Sequence, residues 1–379
     1  MSDIQGYTPD RFSAVKDRFA QNFIEGPDGL TEVGARFTVV QDGEVIFDLW
    51  GGATSRKADA APFTEKTLTP VFSSTKAITA LMIARLVDQG KLDYNAPVSG
   101  IWPEFGQAGK EAITLGQLIS HQGGLSGFSP PIDPTTWFDV DATLEALCAQ
   151  APLWTPGEGS GYHPITVGYL MGEIFRRADG RSLGTALRED IAVPFGLDLM
   201  IGTPDSEAHR IAEMQKPTAA PNLGTIDTIK KAAFFDKGAS PAGKGNEDWR
   251  RMEIPSTNGH ATAEALARYM NIIATGGLIG GTRVISEEAL TEATRERVYG
   301  PDKVLPFTLS WAAGFLRNRG IDIYGPNEKA VGHSGWGGSC LFADPDRKLS
   351  AAYVMTRQSP YLIGDPRPVG LIEALYAEL

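Results

Sequence analysis

Cysteine is nearly absent: the 379-residue chain has two, Cys148 and Cys340, far apart in sequence. Two distant thiols make neither a disulfide framework nor a cysteine-based zinc site. They read as reduced, buried side chains of a cytoplasmic protein. The five histidines, His121, His163, His209, His260 and His333, show no metal-ligand spacing. The phosphate-binding G-x-x-x-x-G-K, the zinc-binding H-E-x-x-H and the G-x-S-x-G nucleophile elbow are all missing. No apolar run reaches the roughly 18 residues of a membrane-crossing helix. The opening MSDIQGYTPDRFSAVKDRF lacks the apolar core behind a basic start that marks a secretory leader. Positive charge is also in deficit, with 35 Lys and Arg against 46 Asp and Glu and a net charge of −11. That balance argues against nucleic acid or an anionic membrane as partner, since both require a basic face.

Glycine and proline are plentiful, at 43 and 25 residues. They imply many tight turns and exclude a helical bundle or coiled coil. Phe12, Val15, Phe19 and Phe23 recur at helical spacing behind Thr8, a candidate cap, and Pro9. RFTVV and EVIFDLW flank Gln41-Asp42-Gly43 and predict a hairpin. Residues 76–90 are apolar on nearly every side up to Arg85, the mark of a buried helix, with Gly90 as its cap. Further helices are predicted over 112–120, 141–150, 165–177 and 182–191. Residues 216–256 lack periodicity and read as a long excursion over the surface. Helix resumes in ATAEALARYMNIIATGG. LSWAAGFLRN, AVGHSGW, SCLFADP and KLSAAYVMT then read as short strands, and VGLIEALYAEL as a closing helix. The expected fold class is α/β (α+β). The first and last parts, 1–70 and 258–379, complete one antiparallel sheet with terminal helices, and a mostly helical part, 71–257, is inserted between them. The active site is expected between the two.

Chemistry is suggested by Ser73-Ser74-Thr75-Lys76. On a helix, positions i and i+3 share a face, so a lysine there reaches the serine hydroxyl. Burial favours the neutral amine, a competent base, and the apolar helix behind Lys76 offers that burial. A serine in the first helical turn also has a free N–H, one donor for an oxyanion. The spacing alone is a weak signal, because Ser13 and Lys16 repeat it. That copy sits beside Asp17 and Arg18 and reads as solvated surface.

VFSSTKAITALMIARLVDQGKLDYNAPVSGIWPEF resembles the nucleophile helix of the serine β-lactamase and penicillin-binding-protein superfamily. The likeness is to the class C branch, and within it to the family VIII carboxylesterases. Residues 113–127, 157–177 and 330–356 resemble, in order, the family segments that follow, so the resemblance runs from about residue 30 to the end. It implies a β-lactamase/transpeptidase-like fold and maps the family's Y-x-N tyrosine onto Tyr162. A phenol near a lysine ammonium has its pKa lowered, so Tyr162 is expected to share proton transfer with Lys76. Pro164 stands where the family has Asn, and His333-Ser334-Gly335 where its lactamases carry K-T-G. The H-x-G followed by W-G-G resembles the esterase branch. By this resemblance the Trp336 N–H is the second oxyanion donor. Gly335 lets substrate approach the strand, and His333 replaces a fixed cation with a group close to neutral at pH 7.

The substrate-binding set expected here is His333, Gly335, Trp336 and Phe128. Trp154 joins Phe128 and Trp336 as candidate walls of an acyl pocket. His121 is placed at the entrance, and His163 is expected to face elsewhere. The resulting reading is a serine hydrolase cleaving small-molecule short-chain esters through a Ser73 acyl-enzyme, with Lys76 and Tyr162 as base and no metal or cofactor. The rivals are an amide-preferring relative (β-lactamase, D-amino peptidase or oligomer amidase), an inactive scaffold, and acyl transfer to an alcohol.

Overall fold

The computed structural model describes residues 3–379. Its main element is a nine-stranded antiparallel sheet. The strands are β1 (Gln5–Tyr7), β2 (Gly34–Gln41), β3 (Glu44–Gly52), β4 (Val298–Pro301), β5 (Thr308–Trp311), β6 (Leu316–Arg317), β7 (Val331–Ser334), β8 (Cys340–Asp344) and β9 (Leu349–Met355). Their spatial order is β1-β3-β2-β9-β8-β7-β6-β5-β4. The β2–β3 turn is the predicted one. Asp42 and Gly43 both take positive φ, 50° and 88°, as a two-residue hairpin turn of the favoured twist requires. β2 pairs with β9 from Ala35↔Met355 to Gln41↔Leu349, so the first and last parts of the chain close one sheet.

Side-chain alternation divides this sheet between two cores. Leu349, Ala351, Tyr353 and Met355 of β9 join Phe12, Phe19 and Leu371 on one side. That side is covered by α1 (Ser13–Gln21), which packs against the terminal helix Pro366–Ala377. Ala352 and Val354 face the other way, toward helix Ala263–Ala274, which lies on β2, β8 and β9. Beyond it is α2 (Thr75–Asp88), in which every residue from Thr75 to Ala84 is buried. The Tyr269 hydroxyl donates to the Ile78 carbonyl at 2.9 Å and joins the two helices. α3 (Thr166–Asp179) packs on α2 and ends at Gly180 in the left-handed conformation.

Three local expectations are corrected. Thr8 does not cap α1: the chain is extended at Pro9 and enters through a 3₁₀ turn, Asp10–Phe12, which itself leads into the helix. LSWAAGFLRN is not one strand but β5 and β6 around a turn at Gly314. There an added Cβ would meet the Ala80 side chain at 2.8 Å, because the turn is pressed onto α2. Residues 216–256 are no simple surface excursion. Leu223, Ala232, Ala233 and Trp249 are buried, and the segment lies as a flap over the turn that leads into the start of α2. Both cysteines are free and buried, and no helix among the described residues is long and apolar enough to cross a membrane.

At the end of β7 the sheet meets the start of α2. A Cβ at Gly335 would lie 2.2 Å from the Val71 carbonyl and 2.1 Å from Ser339 Oγ. The missing side chain therefore serves the packing of strand against turn, not the approach of substrate expected above. Gly335→Ala should cost about 1–3 kcal/mol of stability, the range for overpacking a filled site. A urea midpoint lowered with unchanged slope is the expected result.

Candidate active site

The chain reaches Ser73 through the short strand Thr69–Pro70, paired with His260 and Ala261. Phe72 then takes φ +47°, a conformation rare for a bulky residue and a sign of strain held by its surroundings. Thr75 Oγ1 donates to the Phe72 carbonyl at 2.5 Å and accepts from the Gly259 N–H at 2.9 Å, which holds the reversal in place. Ser73 follows in a 3₁₀ turn that runs straight into α2.

The structure brings Ser73, Lys76 and Tyr162 together. Lys76 Nζ lies 3.1 Å from Ser73 Oγ, and the Tyr162 hydroxyl donates to the same oxygen at 2.6 Å. Lys76 also donates to the Pro164 carbonyl at 2.7 Å and the Ser256 carbonyl at 2.9 Å. Burial holds its pKa well below the ordinary lysine value. A neutral amine has two N–H bonds and one lone pair. With both N–H bonds engaged by carbonyls, the lone pair is left for the Ser73 hydroxyl proton. Burial pushes the Tyr162 phenol up instead of down, against the expectation from a neighbouring ammonium. The same desolvation acts on both groups and disfavours the charged form of each.

Around this triad the structure adds residues that the sequence did not reveal. Trp311 stacks on Tyr162 with ring centroids 5.9 Å apart and an 11° interplanar angle. Buried Asp302 accepts at Oδ1 from the backbone N–H groups of Tyr162, Val304 and Leu305, at 2.9, 3.0 and 2.9 Å. Its other oxygen accepts from Ser160 Oγ at 2.9 Å. An isolated Asp in a loop carries no sequence signal for such a role.

His333 Nδ1 lies 2.8 Å from the Ser334 carbonyl, which makes Nδ1 the protonated nitrogen and leaves Nε2 a buried acceptor without a partner. Burial, with Lys76 second, pushes its pKa down to about 3, so it is neutral. His121 does not line the entrance. It is buried, packs edge-on to Tyr162 at 5.0 Å, and accepts the His163 N–H at Nδ1. His163 faces away as expected, bound to the Leu125 N–H and the Gly161 carbonyl.

Among the described residues, neither the Ser73 nor the Trp336 N–H is taken up by a backbone partner, while those of Ser74, Gly335, Gly337 and Gly338 all are. The Trp336 loop is anchored from two sides. Ser339 Oγ donates to the Val71 carbonyl at 2.7 Å and lies 3.1 Å from Ser74 Oγ. Fully buried Arg367 donates to the Gly337 carbonyl at 2.8 Å.

Ser73 and Trp336 face a cavity of about 270 Å³. One wall is Phe72, Tyr162 and Trp311; the flap supplies Leu223, Phe234 and Phe235 opposite. Phe128 is not part of it. Its ring is buried against Trp137, 5.1 Å away, in the helical core. Trp154 likewise packs on His163 behind the site. The aromatic walls come from the nucleophile turn (Phe72), the Tyr162 loop, the sheet (Trp311) and the flap (Phe234, Phe235).

A sequence model of the β-lactamase family matches residues 19–373. The chain is 35% identical over 374 residues to the esterase/beta-lactamase LipL of Mycobacterium tuberculosis, covering 95% of this chain and 85% of LipL. Two solved structures superpose over their whole length and that of this chain. One is a penicillin-binding-protein homolog from Caulobacter crescentus, at 57% identity and a TM-score of 0.96. The other is a family VIII carboxylesterase, at 38% identity and a TM-score of 0.91. Together with a serine, a buried lysine and a tyrosine converging at one cavity, these likenesses establish that the chain belongs to the β-lactamase family of serine hydrolases.

Proposed function

We propose that the protein is a carboxylesterase that hydrolyses esters of short acids through an acyl-enzyme on Ser73. The observation that carries this reading is the buried Lys76, whose Nζ is held by two main-chain carbonyls within 3.1 Å of Ser73 Oγ. Ser73 attacks the ester carbonyl and its proton passes to Lys76. The N–H groups of Ser73 and Trp336 receive the oxyanion. The departing alkoxide takes the Tyr162 proton, and the lysinium restores it. Water then attacks the acyl-enzyme with the proton transfers reversed. On this reading the site lies between the sheet part (1–70, 258–379) and the helical part (71–257). A cytoplasmic location accords with the two free thiols.

Esters are favoured over lactams by what flanks the triad. A lactam nitrogen must be protonated as it leaves yet stays tethered in the site, whereas an ester loses an alcohol outright. His333 is neutral where the family's lactamases place a cation, and Pro164 has no side-chain donor. Each lost hydrogen bond is worth on the order of 1–3 kcal/mol, or roughly tenfold to a hundredfold in rate. The likeness to a family VIII carboxylesterase and to LipL, an esterase/beta-lactamase, supports ester cleavage and does not by itself rank it above lactam cleavage.

Nitrophenyl esters from acetate to laurate, run beside a chromogenic cephalosporin, test the proposal. The short esters should have by far the higher kcat/KM; a cephalosporin value equal to theirs would reverse the assignment. Ser73→Ala should remove turnover by about three orders of magnitude or more, and Ser13→Ala should leave it unchanged.

The pH profile offers a separate check. A base must be unprotonated to act, so activity should rise with pH through the Lys76 pKa. That acid limb should lie well below the ordinary lysine range, since burial depresses the group. An enzyme still gaining activity up to the ordinary lysine pKa would exclude a Lys76 that burial has depressed.

Asp302 is assigned as a positioning residue for Tyr162. Asp302→Ala should lower kcat about tenfold to a hundredfold with KM little changed, as misplacement of a reacting group does. Asp302→Asn keeps an oxygen for the three N–H groups and should restore most of the rate; equal loss in both variants would refute the assignment.

A further inference from the structure

The Ser73 cavity contains a charge that the ester mechanism does not use. Lys244, on the flap, is the one cavity-lining side chain among the described residues with a formal charge at neutral pH, and no Asp or Glu lines the cavity. Among the described residues it makes no ion pair, and the charge that acts on it is another cation, Lys216. Its Nζ lies over the Trp336 indole, 5.2 Å from the ring centroid. Gly243 and Gly245 on either side both take positive φ, 62° and 89°, so the chain turns sharply around this lysine. An ammonium drawn into an apolar cavity loses hydration, and the face of one indole replaces only part of it. Burial beside Lys216 accordingly pushes the Lys244 pKa down to about 8.

The uncompensated cation sits beside the residue whose N–H faces the reacting carbonyl. We propose that Lys244 is the recognition site for a carboxylate on the substrate, so that the preferred esters are half-esters of dicarboxylic acids. This rests on the esterase reading and refines it by substrate class. It also differs from the strand-borne cation of the lactamases: His333 on β7 is neutral, and the charge enters from the flap instead. A carboxylate could also be offered by a β-lactam, so the test includes one.

The experiment compares 4-nitrophenyl butyrate with the 4-nitrophenyl half-ester of glutaric acid, a neutral and an anionic ester of similar length. Both are run on wild type, Lys244→Gln and Lys244→Glu, with a chromogenic cephalosporin as a third substrate. Wild type should show the lower KM for the half-ester. Lys244→Gln should raise that KM about tenfold or more, as expected for loss of one charge-assisted contact, and Lys244→Glu further still. The butyrate ester should lose at least about tenfold less than the half-ester in both variants, and its turnover also shows that they are folded. Equal loss on both esters would mean that Lys244 only holds the flap on Trp336, and no change on either would mean that it touches no substrate; each result overturns the proposal. If wild type cleaves neither ester but turns over the cephalosporin, the esterase reading fails by itself. A Lys244→Gln effect confined to the cephalosporin KM would then still support the carboxylate site, and its absence would refute it.

Discussion

The site depends on burying one amine. Lys76 is buried in the first turn of a helix with no counterion, and desolvation alone pushes its pKa down. Such a group is tolerated only where its N–H bonds are satisfied, and two main-chain carbonyls do this from separate segments. The Pro164 carbonyl belongs to the loop that carries Tyr162. The Ser256 carbonyl belongs to a turn in which the Asn258 side chain accepts the Ile254 N–H and donates to the Trp249 and Met252 carbonyls. That turn presses on α3 where Gly168 leaves room, since a Cβ there would meet Ser256 Oγ at 2.4 Å. Helix, loop and turn are therefore fitted to one nitrogen.

The sheet side is organised by a different kind of burial. Arg367 is completely buried, forks onto Asp365, and reaches Glu32 and the Gly337 carbonyl. Burial pushes Glu32 up to about 8 in spite of the arginine. A buried charge cluster is poor evidence for stability, because desolvation offsets much of the attraction. Its effect here is directional. It holds the backbone of the loop after β7 from behind, while Ser339 ties the same loop to Val71 at the nucleophile turn. A Cβ at Gly338 would meet Arg367 at 2.6 Å, so the small residues of W-G-G are partly a record of this guanidinium.

Where the family pattern is broken, the chain compensates with main chain and flap. Pro164 brings no side-chain amide, yet its carbonyl receives Lys76. His333 brings no cation, and the charge in the cavity comes from Lys244. The same fold thus carries the same serine and lysine with a different electrostatic setting around them, and a fold by itself does not set a function.

The sequence determined whatever is local. The Ser73–Lys76 spacing, the apolar helix behind it and the Asp42-Gly43 hairpin all follow from neighbours a few residues apart, where propensity and periodicity act. Tyr162 was legible only through its resemblance to a family block, since a tyrosine in a loop has no local signature. What the tertiary structure decided lies at long range. The acceptors of Lys76 are backbone atoms 88 and 180 residues away, and any residue type supplies a carbonyl. Phe128 and Trp311 are both buried aromatics, and only packing decides that the first fills the helical core while the second stacks on Tyr162. The flap could not be read because its apolar residues follow no period. They are fixed by the shape of the cavity they cover, and that shape exists only once the sheet and the helices have come together.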